Sequence, residues 1–181
     1  MNEALNPEEL AAEGKVAYQN KKYTEAAQVF QAAQNAYMAK GDTIQAGEMA
    51  NNRSVALLQG GDAQAALLAV EGTDIIFASA GDRRRQAMAL GNRAAALGKL
   101  GRTGEAIADY EQAADLFQQI GEHDLRSSVL KSISNLQLLT GRPLESIGMA
   151  QAGLSEIEKP NLVQRLLKKF IQIPLRWLLR S

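Results

Sequence analysis

The chain has 181 residues, of which 46% are hydrophobic and 22% charged, and it contains no cysteine. The lack of cysteine excludes disulfides and thiolate metal sites and is compatible with a reducing, cytoplasmic location. The net charge of zero hides an asymmetry: residues 160–181 hold five basic residues and no acid, which leaves 15 basic and 20 acidic residues, a net charge of −5, on residues 1–159. Such an acidic body argues against nucleic acid as a partner, because binding it needs a broad positive face.

Glycines divide the chain at regular intervals. Gly41, Gly81 and Gly121 are evenly spaced, and Gly61, Gly101 and Gly141 form a second series halfway between them. The intervening segments carry apolar residues at helical spacing and no β-branched run of strand length, so we expect an all-α chain. In chain order the predicted helices are 7–20, 23–39, 43–59, 62–79, 83–99, 103–120, 124–140 and 143–157. Glycine suits the left-handed position after a helix, and Asp42 and Asp82 can cap the helices that follow.

Small residues repeat on the same spacing inside the second helix of each pair. These are Ala26, Ala66, Ala106 and Ser146, and we expect the alanines to be buried where paired helices cross. Connections of two or three residues make successive helices antiparallel. The sequence therefore predicts a right-handed superhelical α-solenoid of four hairpins over residues 1–158, with units at about 7–40, 43–80, 83–120 and 123–157, followed by a tail at 159–181. Repeat stacks offer extended surfaces rather than enclosed catalytic pockets.

A family resemblance rests on the third unit, LGNRAAALGKLGRTGEAIADYEQAADLF, from Leu90 to Phe117. Its signature residues are Ala94, Gly101, Glu105–Ala106, Tyr110 and Ala113, and the first unit matches with Gly14, Tyr23, Glu25–Ala26, Phe30 and Ala33. Over about residues 7–157 the chain resembles tetratricopeptide repeats, and its 40-residue period resembles the longer-helix subset found in kinesin light chains and bacterial Rap-type regulators. The resemblance implies a non-catalytic scaffold, adaptor or assembly factor that binds a peptide or helix of another protein in a concave groove.

Asparagines occupy related positions in the first helices of three units. Asn52 and Asn92 are equivalent, and Asn135 lies three residues beyond the next equivalent, Ser132. The resemblance implies that these amides read the backbone of an extended partner, because an amide both donates and accepts hydrogen bonds. The alternative is that they bond neighbouring helices or face water.

Arginines depart from the family pattern at the next position. Arg53 and Arg93 occupy equivalent positions in successive units and align with Glu13, where the family usually has an apolar residue. They are expected either to pair across repeats or to form a basic groove wall for an acidic partner. Arg83, Arg84 and Arg85 form a charge run that is either a solvated face or a secondary patch for acidic groups.

Motifs for catalysis or cofactor binding are missing from the sequence. His123 is the only histidine, it has no second ligand to complete a metal site, and we expect it in a loop. There is no Gly-rich phosphate loop, nucleophile elbow or HExxH motif. The sequence therefore predicts no enzyme, no metal and no cofactor.

The tail forms a cationic amphipathic pattern. Residues expected to make its contacts are Leu162, Leu166, Lys168, Lys169, Phe170, Trp177 and Leu178. Pro174 interrupts the pattern, and the five cations argue against a membrane-spanning helix. Three roles stay open: a cap on the last hairpin, an anchor on an anionic membrane surface that would make the protein peripheral to the membrane, and docking or self-association. We expect residues 162–171 to pack on the body and Trp177–Leu179 to extend to lipid or a second protein.

Overall fold

The computed structural model describes residues 6–171, with side chains as far as Lys169. Over this range the chain forms ten helical segments and no strand. They are α1 (Pro7–Gln19), α2 (Tyr23–Ala39), α3 (Thr43–Gln59), α4 (Ala63–Val70), α5 (Thr73–Ser79), α6 (Arg83–Lys99), α7 (Thr103–Gln119), α8 (His123–Leu139), α9 (Pro143–Ser155) and α10 (Leu162–Ile171). The predicted all-α class is confirmed. The chain divides into two compact units between Asp109 and Tyr110, inside α7.

Side-chain caps start several of the helices. Asp42 Oδ1 accepts a hydrogen bond from the Gln45 amide and Asp82 Oδ1 accepts one from the Arg85 amide, both at 2.9 Å. Asp62 caps α4 in the same way through the Ala65 amide. Each carboxylate satisfies an amide that has no partner inside its helix, and its charge suits the positive helix end. The predicted caps at Asp42 and Asp82 are confirmed.

The turns that follow the helices share one hydrogen-bond pattern. The Asp42 amide donates to the Tyr37 carbonyl at 3.0 Å, and the Asp82 amide donates to the Phe77 carbonyl at 2.9 Å. Equivalent bonds recur in the turns at positions 62, 102, 122 and 142. This is the Schellman closure, which requires a left-handed residue just before the donor. The six glycines of the two series all have positive φ, from 72° to 92°, as the sequence predicts.

Lys21 occupies the left-handed position of the first turn, where the series lacks a glycine. Its φ is 60°, and no other described residue besides glycine has a positive φ. The turn nevertheless closes in the usual way, since the Lys22 amide donates to the Ala17 carbonyl at 3.0 Å. The first hairpin therefore carries backbone strain that the glycine turns avoid.

The second hairpin departs from the prediction. One helix was expected over 62–79, but the structure ends α4 at Val70 and starts α5 at Thr73. Gly72 has a φ of 75°, which breaks the helix. The Thr73 hydroxyl lies 2.8 Å from the Val70 carbonyl and 3.1 Å from Asn51 Oδ1 on α3. This buried pair of contacts holds the break in place.

Small residues form the hairpin crossings in the first unit, Met1–Asp109. Ala26, Ala66 and Ala106 are fully buried, as predicted, because a larger side chain would push paired helices apart. In the first hairpin a Cβ on Gly14 would lie 2.7 Å from the ring of Phe30. In the second, the buried Ser54 hydroxyl donates to the Ala66 carbonyl at 2.8 Å.

In the second unit, helices α8 and α9 form a hairpin of the same kind. The Ser134 hydroxyl donates to the Ser146 carbonyl at 2.9 Å, repeating the contact of Ser54 with Ala66. Gly153 on α9 lies close to α8, so that an added Cβ would be 3.3 Å from the Leu130 side chain and from the Ser127 carbonyl. The α8–α9 hairpin is therefore held together by the same kind of close packing as the hairpins of the first unit.

Helix α10 runs beside α9 and leaves its four described leucine and valine side chains exposed. Leu162, Val163, Leu166 and Leu167 are 74%, 70%, 50% and 47% exposed. The expectation that residues 162–171 pack on the body is therefore wrong for these four side chains. A cap would have covered them, whereas a crevice of about 610 Å³ lies between α10 and the α8–α9 hairpin, lined by Leu154, Ile157 and Leu167 among others.

Candidate functional site

Asn52 lies in a crevice between the first helices of the first two hairpins. The crevice has a volume of about 190 Å³. It is lined by Lys15, Tyr18, Gln19, Phe30, Asn52 and Val55. Lys15, Tyr18 and Gln19 belong to α1, and Asn52 and Val55 belong to α3. Spacings of three or four residues place these positions on one face of each helix. Asn92, the equivalent residue on α6, is half-buried and does not line this crevice.

The polar side chains around this crevice have no partners within the described chain. Lys15, Gln19 and Asn52 form no hydrogen bond or ion pair with any residue that the structure describes. Between them, Tyr18, Phe30 and Val55 provide an apolar floor. The crevice thus combines unused donors and acceptors with an apolar surface, which is the chemistry that a protein segment needs from its binding site.

Asn51, adjacent to Asn52, has a structural role that the sequence analysis missed. It is buried, and its Oδ1 is one of the two acceptors within reach of the Thr73 hydroxyl at the α4–α5 break, the other being the Val70 carbonyl. No periodic signal separates the two asparagines. A helical wheel could have placed Asn51 on the side of α3 that faces the second helix of its own hairpin.

Arg93 is held by two carboxylates of its own unit. Its Nε and Nη2 donate to the two oxygens of Asp109 at 2.6 and 2.8 Å, and Nη1 donates to Asp74 at 3.1 Å. The two-pronged bond to Asp109 is the main reason why the pKa of Arg93 is raised above its ordinary value. Arg93 therefore links α6 to both α5 and α7 instead of offering an open cation.

Arg93 also borders the larger crevice of the first unit, of about 490 Å³. Its other charged lining residues are Glu71, Arg102, Glu105 and Asp109, with Leu67, Leu68 and Leu97 among the apolar ones. Arg102 pairs with Glu105 at 2.6 Å, so the charges of this crevice are largely matched internally. An internally neutralised surface offers less to a charged partner than the crevice at Asn52.

The other arginines named in the sequence analysis differ in whether they form ion pairs. Arg53 is half-buried and forms no ion pair with Glu13 or another described residue, so the first of the two alternatives, pairing across repeats, is not found there. The second alternative, a basic groove wall, stays a prediction. Arg85 pairs with Glu48 at 2.9 Å and with Asp82 at 3.0 Å. Arg83 and Arg84 are exposed. Within the run at 83–85, Arg85 is therefore tied to α3 and to its own N-cap, and Arg84 contacts the Met88 sulfur.

In the second unit, Asn135 is exposed and lines the 610 Å³ crevice between α8, α9 and α10. Ser128 and Lys131 line the same crevice. This places Asn135 in a different unit from Asn52 and Asn92.

His123 begins α8, so the prediction that it lies in a loop is wrong. Its Nδ1 lies 2.7 Å from Oε2 of Glu156, and Arg126 pairs with the other carboxylate oxygen. The His123 contact is the largest influence that holds the pKa of Glu156 below its ordinary value; burial opposes it, and Arg126 adds to it. This cluster ties the start of α8 to the end of α9. No three metal-binding side chains come together in the described part of the chain.

Among the predicted tail contacts, Leu162, Leu166 and Lys169 are exposed on α10 and Lys168 is half-exposed. Phe170 belongs to the same helix, but its side chain is outside the described residues, as are Trp177 and Leu178. Between residues 6 and 171, no helix is long and apolar enough to cross a membrane.

Comparison with known protein families finds a match over part of the chain. A family model described as tetratricopeptide repeat matches residues 85–155. The match runs from α6 to the end of α9, where three helices of 17 residues and one of 13 are separated by glycine turns. No curated protein matches the chain. Residues 85–155 therefore match tetratricopeptide repeats, which are in general protein–protein interaction modules and typically non-catalytic.

Proposed function

We propose that this tetratricopeptide-repeat chain is a non-catalytic adaptor that binds an extended segment of another protein in the crevice at Asn52. The observation that carries the proposal is the set of polar groups on Lys15, Gln19 and Asn52 that have no partner among the described residues and surround an apolar floor. An amide at this point can donate to a backbone carbonyl and accept from a backbone N–H of the same segment. Recognition would then depend on the partner's backbone more than on its side chains.

The apolar floor and Lys15 add selectivity. Tyr18 and Val55 offer a surface for one apolar side chain of the segment, and its burial contributes about 1.5–3 kcal/mol. Lys15 provides a positive charge beside it, which favours a neighbouring acidic residue. We therefore expect the preferred segment to be extended, with an apolar residue next to an acidic one.

Peptide display on the full chain tests this proposal. Random extended peptides selected for binding should lose affinity about tenfold or more when Asn52→Ala removes the amide. Thermal melting of this variant should match that of the parent chain, because Asn52 has no described partner to lose. Asn35→Ala on α2 is the matched control, since Asn35 is exposed and bonds only to Gln31 of its own helix. A separate Asn92→Ala variant tests whether the bound peptide also contacts α6.

Two results would count against the site. Selected peptides that bind the Asn52→Ala and parent chains equally well would place recognition elsewhere. Amide chemical-shift changes on peptide addition that leave Lys15, Gln19 and Val55 unmoved would do the same. Asn51→Ala provides a contrast: it should reduce stability, because Asn51 is buried and its Oδ1 is one of the two acceptors within reach of the Thr73 hydroxyl.

A further inference from the structure

The apolar face of α10 is the largest continuous row of exposed leucine and valine side chains on any one described helix. Leu162, Val163, Leu166 and Leu167 follow the i, i+1, i+4, i+5 spacing that brings side chains onto one face of a helix. All four are about half exposed or more. An apolar row that the described residues leave exposed marks a contact with a partner or a membrane.

The charges beside this row indicate which contact it makes. Arg165, Lys168 and Lys169 lie within the same helix, and residues 160–181 contain no acid. Lysine is depleted at protein–protein interfaces, whereas lysine-flanked apolar faces are typical of helices that lie on anionic membranes. The composition therefore favours a lipid surface over a protein groove.

The start of α10 is already organised. The Gln164 amide donates to Asn161 Oδ1 at 2.9 Å, and the Asn161 amide donates to Gln164 Oε1 at 2.8 Å. This reciprocal capping box fixes the first turn. Arg165 Nε also donates to the Pro160 carbonyl at 3.1 Å. A helix that is formed before binding loses less conformational entropy on a membrane than an unstructured segment does.

We propose that α10 attaches the protein to an anionic lipid bilayer, lying in its surface with its leucine and valine face among the acyl chains and Lys168 and Lys169 at the headgroups. No described helix is both long and apolar enough to cross a bilayer. This attachment goes beyond the adaptor function and does not depend on the crevice at Asn52.

Co-sedimentation of the full chain with lipid vesicles tests the proposal. The chain should bind vesicles of phosphatidylcholine with phosphatidylserine, bind pure phosphatidylcholine far more weakly, and lose binding as salt rises. Lys168→Gln with Lys169→Gln should weaken binding about 30-fold, because each cation near an anionic surface contributes about 1 kcal/mol. The matched control is Lys21→Gln with Lys99→Gln, two exposed lysines of the first unit, which should leave binding unchanged.

A second pair of variants tests how much the apolar face of α10 contributes to vesicle binding. Leu166→Asp should reduce vesicle binding at least about tenfold, whereas Leu139→Asp, the same change at an 83% exposed residue of α8, should not. Circular dichroism should show the helicity of both variants unchanged, since neither side chain is buried. Trp177 is the only tryptophan of the chain, so a blue shift of its fluorescence on adding anionic vesicles would report insertion of the segment after α10.

Three outcomes would overturn the proposal. One is equal binding to neutral and anionic vesicles. Another is equal binding by the Leu166→Asp and parent chains. The third is a chain that ignores vesicles but dimerises in sedimentation velocity until Leu166→Asp is introduced, which would make the α10 face an interface between copies.

Discussion

Lys21 shows what a single residue contributes to a repeated turn. It takes the left-handed conformation that glycine takes in the other six turns, with a φ of 60°. Side chains raise the energy of that conformation by roughly 1–2 kcal/mol, because the Cβ atom approaches the following carbonyl. The bond from the Lys22 amide to the Ala17 carbonyl holds the residue there.

Replacing this residue should strengthen the first hairpin. We predict that Lys21→Gly raises the free energy of unfolding by about 1 kcal/mol, measured by urea denaturation. Gly41→Lys is the reciprocal control: a Cβ there would meet nothing within 4 Å, so its loss of stability would report backbone strain alone. If Lys21→Gly left the free energy of unfolding unchanged, the lysine side chain would stabilise the folded chain by as much as its left-handed backbone destabilises it.

Gly14 has a different reason to be glycine, because its neighbour leaves no space. We predict that Gly14→Ala lowers stability by about 1–3 kcal/mol, since its Cβ would lie 2.7 Å from the buried Phe30 ring. Gly91→Ala in the middle of α6 should raise stability by up to about 1 kcal/mol, because that Cβ meets nothing and alanine is the better helix former. Melting curves that moved in the same direction for both variants would contradict the assigned packing.

At the scale of the element, the ion cluster at Arg93 joins three helices. The Asp109 side chain is about 10% exposed and that of Arg93 about 27%. Removing one partner leaves the other charge without compensation in a poorly solvated place. The cluster therefore matters more for the register of α5, α6 and α7 than an exposed pair would.

A double-mutant cycle measures this coupling. Arg93→Met and Asp109→Leu should each lower the free energy of unfolding by about 3 kcal/mol, and the double variant should lose much less than the sum. Chemical denaturation of the four chains provides the values. Strict additivity would mean that the two side chains do not depend on one another.

The helix boundaries could be predicted from the sequence because their causes are local. Asp42 and Asp82 cap the next helix, and each glycine of the series ends the one before it. The break at Gly72 could not be predicted, because Gly72 lies outside the two regular glycine series and the break is fixed by Asn51 from another helix. Local chemistry can be read along the chain, whereas a bond between helices needs their packing.

The same distinction applies to the candidate site. The repeat spacing pointed to Asn52, and the structure places it beside Lys15, Gln19 and Val55. The two aspartates that hold Arg93 lie 19 residues before and 16 residues after it, and nothing in the spacing identifies them as its partners. The exposed face of α10 was likewise not predictable, since an amphipathic pattern is equally compatible with a cap.

At the scale of the whole molecule, stability should grow with the number of hairpins. A repeat contacts mainly its neighbours, and about three are needed for a stable stack. We predict that a fragment of residues 1–120 shows helical circular dichroism and a cooperative melt below that of the full chain. A fragment of residues 1–60 should be largely unfolded under the same conditions. Equal melting of the two fragments would mean that the hairpins fold independently.

The recurring Schellman turns have a consequence for how such a chain can change its length. The six glycine turns use the same backbone bond, so a cut at Gly41 and one at Gly81 leave compatible ends. A duplicated or deleted block that runs from one glycine to the next of its series would therefore rejoin the chain through the same turn geometry. Recombination at these glycines can therefore lengthen or shorten the array by whole repeats. Sequence changes can then accumulate within a duplicated repeat while the turns between repeats keep the same geometry.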